Sequence, residues 1–272
     1  MTVVHTLAPY QDDRGNTIEF GGEPVDKDVW IRMRGSNNTL VVHKEARLKG
    51  LKVFFDSDNG RVEIGPSTKG LPMLSVTVRA GLDATVRLGR DVSSTSRAYV
   101  SATEGTSVVI GNDVMLATGN ELRADDAHAI FDVDTGERVN VSRSIVVGDH
   151  VWLSKDVVVL GGVTIGSGTV VGYRSVVTRS LPNNCVAVGT PAHVIRKNVA
   201  WERPHLDSYP GYRPNASTIV KSKYWAHTEG STAPVPDSLT PRVIPHPGVP
   251  RARRLRRVLG RAARAMGLRR RR

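Results

Sequence analysis

The chain has 272 residues, a net charge of +12 and a single cysteine, Cys185. One cysteine excludes an internal disulfide, and without a long apolar run we expect neither a signal peptide nor a membrane-spanning helix, but a cytoplasmic protein. Eleven arginines lie in 251–272, leaving 27 basic residues against 26 acidic ones in the rest of the chain. Because the charge is confined to this tail, we expect no specific nucleic-acid-binding surface.

The first 75 residues show an irregular β pattern. Stretches rich in β-favouring residues at 40–42, 51–55 and 62–64 are separated by turn signals such as the one at 58–60. Glycine is frequent (26 residues), which suits many short strands joined by tight turns. We expect these strands to begin a coil, as a cap or as ragged first turns.

An uninterrupted six-residue repeat of aliphatic side chains begins at residue 147. Its positions are Val147, Leu153, Val159, Ile165, Val171 and Val177. A helix with about 3.6 residues per turn cannot present a six-residue period on one face, whereas a triangular coil with one hexapeptide per side can. The repeat therefore predicts an all-β fold, a parallel β-helix in which these side chains form a buried column.

Weaker six-residue spacings precede this repeat. They comprise Val76, Leu82 and Leu88, and then Ile110, Leu116 and Leu122. The register breaks between 93 and 109 and again between 123 and 146. A break in a coil is where a loop leaves it, so we expect loops at both places.

The repeat ends near residue 200. We divide the chain into an N-terminal part of the coil, the hexapeptide domain, an extended arm or linker, and a basic amphipathic tail, at 1–75, 76–200, 201–250 and 251–272. The arginines of the tail, with a narrow apolar stripe, predict adsorption to an anionic membrane, peripheral to its inner face. A polyanionic acceptor or adventitious nucleic acid would also explain this charge.

Two stretches, 123–140 and 145–192, carry recognisable motifs. They include Asp125-Asp126-Ala127-His128, Gly148-Asp149-His150-Val151-Trp152 and Gly189-Thr190-Pro191-Ala192. Here the sequence resembles the hexapeptide-repeat acyltransferases, particularly their capsular-polysaccharide and sugar O-acetyltransferase branch. The resemblance covers roughly 110–197. It implies a left-handed β-helix, a homotrimer with active sites between subunits, acetyl-CoA or another acyl-CoA as donor, and a sugar or polysaccharide hydroxyl as acceptor.

Transfer of an acyl group from a thioester to an alcohol needs a base to take the hydroxyl proton, and histidine suits this role. His128 lies in the second register break, beside Asp125 and Asp126, either of which could orient its ring, and it matches the family's Asp-x-His position. Trp152 precedes an inward position and should face outward, to line the thioester site, to stack on sugar or to pack between subunits. We take His128, Asp126 and Trp152 as the catalytic candidates.

The remaining candidates concern acceptor and donor. Arg123, Arg138 and Asn140 would position an acidic sugar or fix the loop. His150 is a further acceptor-binding candidate, although a histidine at a corner of the coil usually faces solvent. For the acyl-CoA donor the candidates are Ser154, Gly172, Tyr173, Gly189, Arg196 and Lys197.

Three other interpretations compete with this one. Parallel β-helices resembling the gamma-class carbonic anhydrases bind zinc through three histidines, but only His128 and His150 lie in the recognisable coil, so we expect no metal. An O-acyltransferase that uses a longer acyl chain has the same sequence features. A non-catalytic scaffold presenting its basic tail to an anionic partner is the rival from another class, and acyl-CoA turnover distinguishes it.

Overall fold

The computed structural model describes residues 1–206, 215–217 and 219–226. In chain order its strands are β1 Thr2–Val4, β2 Tyr10–Gln11, β3 Thr17–Phe20, β4 Val29–Met33, β5 Thr39–Val42, β6 Leu48–Phe55, β7 Arg61–Ile64, β8 Leu74–Ala80, β9 Thr85–Leu88, β10 Ser93–Ser94, β11 Ala98–Ala102, β12 Ser107–Ile110, β13 Met115–Leu116, β14 Glu121–Arg123, β15 Ile145–Val147, β16 Trp152–Leu153, β17 Val158–Leu160, β18 Thr164–Ile165, β19 Val170–Val171, β20 Val176–Val177, β21 Cys185–Val188 and β22 His193–Lys197. A 3-10 helix covers Lys223–Ala226.

These strands form three sheets, which are the faces of one β-solenoid. Sheet A has the order β1-β4-β6-β8-β11-β14-β17-β20, sheet B the order β10-β13-β16-β19-β21-β22, and sheet C the order β18-β15-β12-β9-β7-β5-β3-β2. All pairings are parallel except at the two ends of the solenoid, where β1–β4, β2–β3 and β21–β22 are antiparallel. Seven parallel strands of sheet A follow β1, so the solenoid has about seven turns, and the predicted all-β coil is confirmed.

The interior is a column of aliphatic side chains. All six positions of the repeat are buried: Val147, Leu153, Val159, Ile165, Val171 and Val177. Ile110, Leu116, Leu122, Val76 and Leu88 are buried as well. Each such side chain contributes about 1.5–3 kcal/mol when fully removed from water, so the stacked rungs stabilise one another.

Two expectations are wrong for the turns before β13, which we call the upper turns. Leu82 is 44% exposed, because it lies in the turn between β8 and β9 and not on a rung. The segment 93–109 does not leave the coil, because β10, β11 and β12 all pair with neighbouring turns. Val76 pairs with Ala98, 22 positions later, so one turn here is longer than three hexapeptides and does not keep their spacing.

The corner between sheets C and B requires a left-handed backbone. Asp91, Asp113, His150 and Asn184 occupy it in different turns with φ between 49° and 60°. Asparagine, aspartate and histidine are the non-glycine residues enriched in this conformation, so all four residues suit the corner.

The chain after β22 packs back against the solenoid. We call 198–206 and 219–226 the C-terminal strap; Trp201 and Tyr224 are its buried side chains. Residues 207–214, 218 and 227–272 lie outside the description, so the basic tail at 251–272 and most of the predicted arm stay predictions. Within the described residues no helix is both long and apolar enough to span a membrane.

Candidate functional site

The second register break does produce a loop. The chain leaves sheet A after Arg123 and joins sheet C at Ile145, and we call 124–144 the extruded loop. At its base the Arg143 N–H donates to the Ala124 carbonyl at 3.0 Å. Further out, Phe131 and Arg138 form an antiparallel bridge, so the loop is a hairpin that projects from the corner between sheets A and C.

Asn140 holds the two arms of the loop together. Its Oδ1 accepts the Ile130 N–H at 2.7 Å, and its Nδ2 donates to the His128 carbonyl at 2.8 Å and to the Asp126 Oδ2 at 3.0 Å. His128 itself is exposed. The main chain on either side of the histidine is therefore fixed while its ring is accessible.

Glu104 connects the loop to the turn above it. Arg138 donates from Nη1 to Oε1 at 2.5 Å and from Nη2 to Oε2 at 3.0 Å, and the Ser142 hydroxyl donates to Oε2 at 2.5 Å. The hydrogen bond from Arg138 is the main reason why the pKa of Glu104 lies below its ordinary value. Arg138 and Asn140 thus fix the loop, which was one of their two predicted roles.

The two acidic neighbours of His128 have separate partners. Asp125 is buried and accepts from Arg79 Nη1 at 3.2 Å, from the Ser101 hydroxyl at 2.8 Å and from the Ala127 N–H at 3.0 Å. Asp126 is exposed and bonded to Asn140. Asp125 anchors the base of the loop, which leaves Asp126 as the carboxylate available to the histidine.

A cavity of about 370 Å³ lies at the base of the extruded loop. Its lining residues are Arg123, Ala124, Asp125, Asp126, Val139, Asn140, Val141, Ser142, Arg143, Leu160 and Gly161. Arg123 is only partly available, because its Nε donates to Glu121 at 2.6 Å and its guanidinium lies 4.6 Å from the centre of the Tyr99 ring. The cavity brings together two of the acceptor candidates, Arg123 and Asn140, with the catalytic candidate Asp126, and it adds Arg143.

Trp152 lies on sheet B and is half-buried. It pairs with Met115 above and Val170 below, and its ring centre is 5.8 Å from that of Trp201 in the strap. Sheet B is the face of the solenoid opposite the corner that carries the extruded loop. Trp152 and the base of the loop that carries His128 therefore lie on opposite sides of the solenoid within one subunit.

His150 does not face solvent, contrary to expectation. It is 2% exposed, its Nδ1 lies 2.6 Å from Asp113 Oδ2, and its Nε2 lies 2.8 Å from the Trp201 carbonyl oxygen. Its ring also stacks on Trp201 at 4.1 Å and on Tyr224 at 4.5 Å. With both nitrogens engaged inside the strap contact, His150 has no free group for an acceptor, and its role is to hold the strap.

Asp113 extends this contact. It is hydrogen bonded to Arg203, which also donates to Ser93 Oγ at 2.8 Å. Burial acts to raise the pKa of Asp113, but the His150 hydrogen bond and the Arg203 charge together bring it below the ordinary value. Burial raises the pKa of Tyr224.

The donor candidates separate into two groups. Ser154 and Gly172 occupy the same position in successive turns, since β16 pairs with β19, and Tyr173 and Gly189 follow at the same corner between sheets B and A. A Cβ on Gly172 would lie 2.5 Å from Val188 Cγ1, so a side chain there would require Val188 to move. Arg196 and Lys197 lie further along β22, opposite Val186 and Cys185, and not at this corner.

Sequence reasoning missed Glu104, Arg143 and Trp201. Glu104 is 34 positions from Arg138, and Trp201 is 51 positions from His150, so only the register of the solenoid brings them together. Arg143 falls between the two motif-bearing stretches, 123–140 and 145–192, and belongs to no motif. In the described part of the chain there is no group of three residues suited to a metal ion.

Comparison with known proteins identifies a family that this chain matches. Residues 144–179 match the family model described as bacterial transferase hexapeptide (six repeats). A polysialic acid O-acetyltransferase of Escherichia coli O1:K1 is 33% identical over 162 residues, 60% of this chain and 44% of that protein. The chain thus spans less than half the length of that relative. A galactoside O-acetyltransferase of Lactococcus lactis is 35% identical over 182 residues, which cover 64% of this chain and 82% of that protein.

A solved structure shows the same architecture. The crystal structure of the polySia-specific acetyltransferase NeuO aligns with a TM-score of 0.61 and 30% identity, covering 70% of this chain and 79% of that one. The resemblance drawn from the sequence motifs is confirmed by these matches.

Proposed function

Because the chain belongs to the bacterial hexapeptide transferases, we propose that it is an acyl-CoA-dependent O-acyltransferase that moves an acetyl group to a hydroxyl of a sugar or polysaccharide. The observation that carries the proposal is the exposed His128, held by Asn140 in a loop that projects beside a cavity. The names of the O-acetyltransferases similar to this chain support the choice of an acetyl group and a glycan.

In this mechanism His128 is the general base. Its ring takes the proton of the acceptor hydroxyl as that oxygen attacks the thioester carbonyl, and a tetrahedral intermediate forms. When the intermediate collapses, the carbon–sulfur bond breaks and the histidine returns the proton to the thiolate. The products are the O-acetylated glycan and free coenzyme A, and no covalent enzyme intermediate is needed.

Asp126 and Trp152 complete the catalytic set. Asp126 is fixed by Asn140 and orients the protonated ring of His128, which it also stabilises by its charge. The indole N–H of Trp152 donates to the thioester oxygen as negative charge develops there. The corner formed by Ser154, Gly172, Tyr173 and Gly189 receives the acyl-CoA, next to sheet B on which Trp152 lies.

The site requires a second copy of the chain. His128 projects from the corner between sheets A and C, whereas Trp152 is on sheet B of the same subunit. The extruded loop also exposes Ile130, Phe131, Val133, Val139 and Val141, by 47–96%. Exposed apolar side chains on one projecting hairpin suit contact with another protein surface. The arrangement is a homotrimer, in which the loop of one copy reaches sheet B of the next.

The direct test is acyl transfer by the purified full-length chain, with labelled acetyl-CoA and longer acyl-CoAs, in the presence and absence of neutral and acidic oligosaccharides. We expect acetyl transfer to glycan, and we expect His128→Ala to lower turnover about 10²- to 10⁴-fold, as for loss of a general base. His43→Ala, which removes another exposed histidine, is the matched control. If no acyl-CoA is consumed with any acceptor, the chain is a non-catalytic scaffold. If only longer acyl chains are used, the donor assignment changes.

A further inference from the structure

The arginines around the cavity at the base of the extruded loop differ in their partners. Arg123 is paired with Glu121, Arg138 with Glu104, and Arg79 with Asp56 and Asp125. Their charges are neutralised by carboxylates of the protein and serve the fold of the loop.

Arg143 differs from these arginines. It lines the cavity and is exposed, and within the described residues no carboxylate lies at ion-pairing distance from it. Its side chain lies across Gly162, where an added Cβ would be 3.1 Å from Nε and 3.2 Å from Cζ. The glycine at 162, with φ of +88°, therefore leaves the space in which the guanidinium rests.

Asp126 is the second charged group of the cavity without an ion pair in the described part of the chain. It accepts only the amide of Asn140 among the hydrogen bonds of its side chain. The cavity thus offers one available cation and one available carboxylate. A ligand that carries a carboxylate and hydroxyl groups complements both, since the guanidinium binds the carboxylate through two N–H groups and the aspartate accepts a hydroxyl.

We propose that Arg143 is the residue that selects an acidic glycan as acceptor, by binding the carboxylate of a sugar acid in the cavity below His128. The proposal rests on the proposed function and names its substrate class. An alternative anion is a phosphate of the acyl-CoA. The acceptor is favoured because its hydroxyl must lie at His128, in the loop whose base carries Arg143, whereas the phosphates of acyl-CoA are separated from the reacting thioester by the pantetheine chain.

The experiment compares Arg143→Gln with the wild type on two matched acceptors, an oligosaccharide of sugar acids and the same oligosaccharide with its carboxyl groups reduced to alcohols. We expect the variant to lower the ratio of kcat/KM for the acidic acceptor to that for the reduced one by about 10-fold or more, because it loses a charge-assisted hydrogen bond. The loss should appear in KM for the acidic acceptor.

Two further variants serve as controls. Arg143→Lys should restore part of the preference for the acidic acceptor. Arg90→Gln, which removes an exposed charge in the turn after β9, should leave the ratio unchanged.

Binding measured without acyl-CoA separates this inference from the proposed function. Calorimetric titration with the acidic oligosaccharide should show binding to the wild type that Arg143→Gln weakens, whether or not the chain catalyses transfer. Equal binding of the acidic and reduced oligosaccharides by the wild type would overturn the proposal. A second result would also overturn it. If Arg143→Gln raised only the KM for acetyl-CoA, and did not raise the KM for acetyl-dephospho-CoA, Arg143 would bind a phosphate of the donor.

Discussion

At the scale of single residues, Glu104 attaches the extruded loop to the solenoid. Its carboxylate accepts three hydrogen bonds, two from Arg138 and one from Ser142, across the space between two turns. Asp125 anchors the base of the loop to Arg79 and Ser101, and Glu104 fixes the arm that carries Arg138 and Ser142.

The lowered pKa of Glu104 gives the direction of a pH effect. A carboxyl whose pKa is lower in the folded than in the unfolded protein stabilises the folded state. The stabilisation is complete at a pH above the ordinary glutamate pKa of about 4.3, and it is lost as the pH falls through the lowered pKa. We therefore expect amide protection factors in 126–142 to fall in the wild type as the pH is lowered from neutral through that range. Glu104→Gln should show the reduced protection already at neutral pH.

Hydrogen exchange followed by mass spectrometry measures this effect. Glu63→Gln is the matched control, because Glu63 is also paired with arginines but lies on sheet C in the upper turns. Unchanged protection of the loop in Glu104→Gln would show that the loop is held by Asn140 and Asp125 alone.

At the scale of elements, the C-terminal strap depends on His150. The ring stacks on two aromatic side chains and is hydrogen bonded to Asp113 and to the Trp201 carbonyl. Each aromatic contact contributes about 1 kcal/mol and the hydrogen bond to Asp113 about 2 kcal/mol. His150 therefore contributes about 3–4 kcal/mol to the free energy of unfolding.

We expect His150→Ala to lower the free energy of unfolding by an amount of that order and to release the strap. Urea unfolding measures the first effect, and the change in intrinsic tryptophan emission, to which Trp201 and Trp225 of the strap contribute, measures the second. His43→Ala should change neither. Unchanged stability together with a raised KM for the acceptor in His150→Ala would contradict this role and would indicate that His150 binds the acceptor.

The sequence predicted the lower turns well and the upper turns poorly, for a physical reason. In 147–177 each inward residue is fixed by its own hexapeptide, so local spacing is sufficient. In the upper turns β6 is eight residues long and β8 seven, so the corners fall at unequal intervals and Leu82 was assigned to the core in error.

The same distinction holds for the site. His128 and Asn140 were found because they lie together in one recognisable stretch. The burial of His150 and the attachment of Arg138 could not be found in this way, because Trp201 and Glu104 are distant in sequence and meet them only in the folded solenoid.

At the scale of the whole molecule, the central claim is an acyl-transfer site shared between copies, with His128 from one and Trp152 from the next. The two side chains are on different parts of one solenoid, so a single subunit cannot assemble them. The two single variants, His128→Ala and Trp152→Ala, should each be a folded trimer of the 29.5 kDa chain with little activity.

Complementation between these two variants is the most direct test. The inactive variants are unfolded together in equal amounts, refolded, and assayed for acetyl transfer beside each variant refolded alone. In a cyclic trimer formed at random, about one quarter of the sites receive an intact histidine from one copy and an intact tryptophan from its neighbour. We predict that the mixture regains about a quarter of the wild-type turnover per subunit. A refolded mixed trimer with no more activity than the separate variants would contradict the shared site.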